Sequence, residues 1–221
     1  MVQAALSQIR RNKSLSKEVL DRLRNAILTG ELAEGTPLPE AQTAVKLGVS
    51  RVPVREALVE LERHGLVEFD PHGRAGVRTF TEEDVREIHT LRSTLQVMAA
   101  RLAAAKMTDD DLQRLESILA RAAETRDLTE FSRLDTEFHD EIIVISRHRR
   151  LQRIWNDFRA QMELWLQRLH RQRERKMRDV RDATLKSHRE MIDTLATRQP
   201  DAVANLMERH CSWSDYLSPS A

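Results

Sequence analysis

Leu47-Gly48-Val49-Ser50-Arg51-Val52-Pro53-Val54-Arg55-Glu56-Ala57-Leu58 is the stretch on which the reading of this 221-residue chain turns. Gly48 ends one helical pattern and permits a sharp turn, and Val49 is placed to plug the core between two helices. Ser50 stands where a helix cap is needed. Pro53 falls in the first turn after it, where a missing N–H costs little. Arg51 and Arg55 are four apart and share one face, while Val54, Leu58 and Leu61 form the opposite, buried one. Two helices joined tightly, the second opening on arginines, are the form that lays side chains on the floor of the DNA major groove. There one arginine can fork onto guanine O6/N7 while the other holds a phosphate. A structural hairpin with solvated arginines has the same local pattern, so the flanking sequence decides.

Upstream, Ser16 is placed to cap a helix reaching about Thr29, with Val19, Leu20, Leu23, Ile27 and Leu28 on one face. Gly30 and Gly35 break it, and a short helix follows over about 39–47. Downstream, the reading helix runs to about His64 and stops at Gly65. Segments 66–70 and 76–80 read as two short strands around Pro71-His72-Gly73-Arg74. Helix, helix, tight turn, helix, hairpin is a winged helix-turn-helix, expected over residues 1–80.

Beyond residue 80 the punctuation changes. All six glycines and four of the six prolines precede it, and the next proline is Pro200. About 120 residues without either, carrying helical apolar spacing, predict an antiparallel bundle of six helices over 81–221. Their expected spans are roughly 82–106, 108–125, 128–146, 149–175, 180–198 and 201–217. The fold class is therefore mainly α.

Charge does not announce a nucleic-acid partner: 36 Lys+Arg face 35 Asp+Glu, and residues 1–80 carry 12 basic against 10 acidic side chains. Any DNA contact must come from where charges sit rather than from their sum. Apolar residues at 40% and charged residues at 32% exclude a disordered chain. The longest strongly apolar run, Ile142 to Ile145, is far too short to span a bilayer, and the N-terminus lacks a signal-peptide core. No membrane partner is expected. A lone Cys211 fits the cytoplasm.

The second part holds a candidate metal site. Asp135 and His139 are four apart and project from one helix face. His188 and His210 flank the turn at Pro200 by 12 and 10 residues, which places their rings at similar heights on antiparallel helices. One carboxylate and three imidazoles suit Zn(II), Ni(II), Mn(II) or Fe(II), and spacing does not choose among them. A divalent ion with one aspartate leaves +1 on the site, which favours an anion. Taken singly, each histidine reads as a surface or satisfied core residue rather than a ligand.

The stretch LGVSRVPVREALVELERHGLVEF resembles the recognition-helix signature of the GntR family of bacterial transcription regulators. The resemblance implies DNA contacts from Ser50, Arg51 and Arg55, and from His72 and Gly73 in the wing. Departures are Ala41 where some members carry a phosphate-binding arginine, Thr43 for a core leucine, and a His-Gly-Arg-Ala-Gly wing. Residues 82–217 resemble the FCD effector domain of the FadR subgroup in its shorter, VanR-like form. Its Asp-x3-His pattern with two later histidines falls on Asp135, His139, His188 and His210. The resemblance further implies a homodimer on a palindromic operator, released from DNA when a small organic acid completes the metal's coordination. Arg92 stands where the family places an effector-binding arginine. Gln96 replaces a usual Glu, and Arg147-His148 replace a common Gly-Asn pair.

Two other functions fit the same residues. A metal-dependent enzyme could use an Asp/His3 site with an open position. A DNA-binding dimer could carry a purely structural metal. Minor signals include the basic run 168–181, read as a solvated helix end, and Cys211, expected to rotate away from the metal as a small apolar residue. Trp213, three residues past His210, is placed to report ligand entry.

Overall fold

A computed structural model describes residues 13–172 and 177–211, with side chains except at 13, 14 and 167–180. The chain divides into two compact units between Thr79 and Phe80.

The first unit contains α1 (Lys13–Leu28), α2 (Glu40–Leu47), α3 (Arg51–Arg63) and the strands β1 (Val67–Phe69) and β2 (Ala75–Val77). Helix α1 begins before Ser16, so that serine is no cap; its hydroxyl instead donates to Glu56 Oε2 on α3 at 2.6 Å. Val19, Leu23, Ile27 and Leu28 meet Val54, Ala57, Leu58 and Leu61 in the core. Gly48 takes a left-handed φ of 66° and closes α2 by donating to helix carbonyls. Val49 is only half-buried, and the plugging expected of it falls to Thr43 and Ala44.

The strands are shorter than the spacing predicts. Val67 pairs with Val77 and Phe69 with Ala75. Residues 35–38 line the other edge of β2: Val77 N donates to Thr36 O at 2.9 Å and Leu38 N to Ala75 O at 2.8 Å. That third edge satisfies β2 on both sides, which explains why so short a hairpin holds its shape.

The second unit comprises α4 (Glu82–Ala104), α5 (Asp109–Glu124), α6 (Leu128–Ile145), α7 (Arg149–Gln172), α8 (Met177–Ala196) and α9 (Pro200–His210). Thr81 with Asp84 and Thr108 with Asp111 form capping boxes, and Asp127 caps α6. Helix α4 packs against α6, α7, α8 and α9. Its Ala99, Ala100, Ala103 and Ala104 are fully buried, which lets α9 approach through Val203, Ala204 and Met207.

Arg147-His148 form the α6–α7 corner. Arg147 holds a left-handed φ of 49°, and its guanidinium reaches the buried Asp111 carboxylate at 2.8 Å. His148 Nδ1 accepts from Leu151 N at 3.1 Å and caps α7. The pair thus does the work of a turn residue followed by a cap. Of the basic run, Arg181 donates to the Ala122 and Ala123 carbonyls at the end of α5. Its remaining side chains and Trp213 lie outside the described residues.

Candidate nucleic-acid interface and metal centre

At the start of α3, Ser50, Arg51, Val52 and Arg55 are all exposed. Ser50 occupies the N-cap position, yet its hydroxyl makes no capping hydrogen bond, contrary to the expectation from the sequence. The α3 N-terminus still offers backbone N–H groups and the positive end of its dipole to an anion. Both arginines lean on Glu40, the first residue of α2: Arg51 Nη2 is 3.3 Å and Arg55 Nε 3.8 Å from its two carboxylate oxygens.

The wing tip is organised by Asp70, which sequence reasoning did not single out. Asp70 Oδ1 accepts from His72 N and Arg74 N, each at 2.9 Å, and Oδ2 accepts from Arg74 Nε at 2.6 Å. Gly73 takes a φ of 73° with open space around it, so His72 and Gly73 sit exposed at the tip. The signal for Asp70 was the Asp-Pro-His-Gly order, in which an Asp side chain closes the turn onto following N–H groups.

In the bundle, helices α6, α8 and α9 bring His139, His188 and His210 together. Their ligand atoms lie within 4.8 Å of one another. His139 Nε2 and His210 Nε2 are 3.2 Å apart. Two nitrogens bound to one ion at about 2.1 Å would be separated by roughly 3.4 Å in a tetrahedral shell. Asp135 stands beside this group rather than inside it: its Oδ1 is 3.4 Å from His188 Nε2.

Burial sets the protonation states. His139 and His188 are held well below the usual histidine range, first by burial and then by neighbouring positive groups that include Arg92. His210 is pushed down to about 3 by burial and Arg92. Asp135 is raised to about 6 by burial, against the pull of Arg92. Three neutral imidazoles therefore present lone pairs at neutral pH. His188 Nε2 is buried without a hydrogen-bond partner, and three neutral imidazoles beside a carboxylate suit a divalent transition ion. The residues fit a metal.

Surrounding groups orient these rings. Phe138 stacks on His188 with centroids 4.0 Å apart, and the Ser187 hydroxyl lies 2.8 Å from His210 Nδ1. Arg92 is only 1% exposed. Its Nη2 is 3.3 Å from His139 Nε2, and its guanidinium lies over Trp165. One turn further on, Gln96 Oε1 accepts from Cys211 Sγ at 2.9 Å, and its Nε2 is buried with no hydrogen-bond partner. Cys211 is thus no inert filler: it holds the amide next to the arginine. Neither residue could be assigned this from spacing, because their contact joins α4 to the end of α9.

The FCD domain profile matches residues 87–212, more than half of the chain and all of this centre, and the profile of gntR-family bacterial regulatory proteins matches 15–77. The chain belongs to the GntR family. It is a DNA-binding transcription regulator with an FCD domain. The HTH-type transcriptional repressor RspR of Escherichia coli K12 is 28% identical over 92% of this chain and 89% of its own length. The gluconate operon transcriptional repressor of Bacillus licheniformis is 27% identical over 89% and 82%. Among solved structures, E. coli McbR/YncC matches with a TM-score of 0.71 at 21% identity, over 89% of this chain and 94% of its own. A GntR regulator from Rhodococcus sp. RHA1 matches at 0.74 and 24% identity, over 90% and 94%. Those likenesses speak for the fold. The relatives are regulators, so the enzyme reading of the histidine centre falls. Among the described residues, no helix of this GntR-family chain is long and apolar enough to cross a membrane.

Proposed function

We propose that this protein is a cytoplasmic repressor released from its operator by a small carboxylate that binds beside a divalent metal in the FCD domain. In this reading His139, His188, His210 and Asp135 hold the metal, which when bound would supply a Lewis-acidic pole for a carboxylate oxygen. Residues 1–80 form the DNA-binding domain, with Ser50, Arg51 and Arg55 in the major groove and His72 and Gly73 at the backbone or minor groove. Residues 81–221 form the effector-binding and dimerisation domain.

The observation that carries the effector reading is the burial of Arg92 against imidazoles. A divalent ion with one aspartate leaves the centre at +1, beside a guanidinium that is 1% exposed and 3.3 Å from His139. An anionic ligand offsets that charge, and a carboxylate matches the guanidinium fork. Gln96 Nε2 offers a further donor one turn away. Repression is supported by the two relatives above, both transcriptional repressors.

One reading helix buries too little surface to select a genomic site, and a two-fold dimer on a palindrome doubles it. Leu91 and Met98, two turns apart on α4, are exposed apolar residues available for such a contact.

Metal analysis of purified protein tests the reading, followed by operator binding before and after chelation. Stoichiometric metal, and a carboxylate response that disappears with chelation, are expected. Chelation that only lowers the melting temperature would leave the metal structural and the effector reading wrong.

A further inference from the structure

The two reading arginines share one carboxylate. Glu40 opens α2, where the helix dipole favours a negative charge, and Pro39 before it restricts the backbone. Its Oε2 lies 3.3 Å from Arg51 Nη2 and its Oε1 lies 3.8 Å from Arg55 Nε. The Glu40 side chain is 22% exposed, whereas those of Arg51 and Arg55 are 69% and 74% exposed. A mostly buried acid therefore holds two exposed guanidiniums at the rim of the reading helix.

We propose that Glu40 is a specificity-determining positioning residue: it holds Arg51 and Arg55 and makes them exchange a carboxylate for whatever DNA offers. Non-cognate DNA offers a phosphate oxygen, which replaces one anion by another and gains little. A cognate guanine offers O6 and N7 together, a bidentate partner that exceeds the single-oxygen contact Glu40 makes with Arg51. The carboxylate also repels phosphates near it, whatever the sequence. Both effects weaken non-specific binding more than specific binding. Affinity is given up so that discrimination rises.

This inference rests on the assignment of Arg51 and Arg55 as DNA-reading residues, so the experiment separates the two. The probes are a duplex recovered from a randomised library by the wild-type protein and a mixed-sequence duplex of equal length. Affinities of wild type, Glu40→Gln, Glu40→Asp and Arg51→Ala are measured across a salt series. Glu40→Gln keeps the size of the side chain and removes its charge. It is expected to bind the mixed duplex about three- to tenfold more tightly, with a salt slope steeper by about one ion. Its specific-to-mixed ratio falls several-fold. Glu40→Asp, which keeps the charge, restores much of the ratio.

An unchanged ratio and slope in Glu40→Gln, while Arg51→Ala loses the selected duplex, overturns the role of Glu40 alone. Equal weakening on both duplexes in Glu40→Gln also overturns it, since that is the signature of a damaged α2–α3 arrangement. Arg51→Ala that binds the selected duplex as wild type does overturns the underlying assignment as well.

Discussion

Arginine appears in two opposite settings in this molecule. Arg51 and Arg55 stand in water at the mouth of α3, with a shared carboxylate several ångströms away. Arg92 is sealed inside the bundle against a histidine ring. Water screens the first pair, so each bond to Glu40 is weak and exchangeable. The second has no solvent to lean on, and its charge must be matched by fixed groups or by a bound anion. An exchangeable guanidinium suits a surface that samples many DNA sites. In the proposed reading, a sealed one restricts its pocket to anionic ligands.

The sharpest way to break that contrast is Arg92→Ala. With metal retained, affinity for small carboxylates should fall by about 2–4 kcal/mol, while ligand-free protein loses less than that in stability. Calorimetry with a panel of such acids checks the first part and thermal denaturation the second. Lower stability with unchanged carboxylate affinity would make Arg92 a structural residue and erase the contrast.

A converse case sharpens it. Asp111 is a buried carboxylate facing the half-exposed Arg114 and Arg147. Burial alone would raise its pKa, but the hydrogen bonds from Arg147 and Thr108 outweigh burial and hold it at about 2, against an ordinary 3.8. A carboxyl depressed on folding stabilises above its unfolded pKa and loses that contribution as pH falls towards the folded value. The shift corresponds to about 2 kcal/mol. Asp111→Asn should therefore be less stable than wild type by about that amount at pH 7, with the gap closing between pH 4 and 2 in chemical denaturation. A gap independent of pH would assign the loss to packing.

The smallest effect is expected at Ser50. Because its hydroxyl makes no capping bond, Ser50→Ala should change folding stability by less than about 0.5 kcal/mol, well under a usual cap deletion. Its cost should appear in operator affinity instead, measured by fluorescence anisotropy. Lost stability with intact DNA binding would return Ser50 to a capping role.

Much of the first unit was legible because its signals are local. Gly48 must turn, Pro53 must sit in a first helical turn, and Val54, Leu58 and Leu61 repeat on one face. What escaped was non-local: residues 35–38 pairing with β2, Ser16 bonding to Glu56 across 40 residues, and Glu40 reaching both arginines. In the bundle, the similar distances of 12 and 10 residues from Pro200 do bring His188 and His210 side by side, with ring centroids 5.2 Å apart. The same arithmetic says nothing of depth, so Asp135 stands to one side of the three rings and Cys211 turns inward to Gln96.

By itself the amino-acid order determined which segments are helical, where they stop and which faces are apolar, since 3.6-residue periodicity and backbone punctuation act within a few residues. Tertiary packing decided which polar side chains lost their water. Arg92 and Arg51 are the same residue at helical positions of similar pattern. Only the neighbouring helices bury one guanidinium beside a histidine cluster and leave the other in water at the mouth of α3.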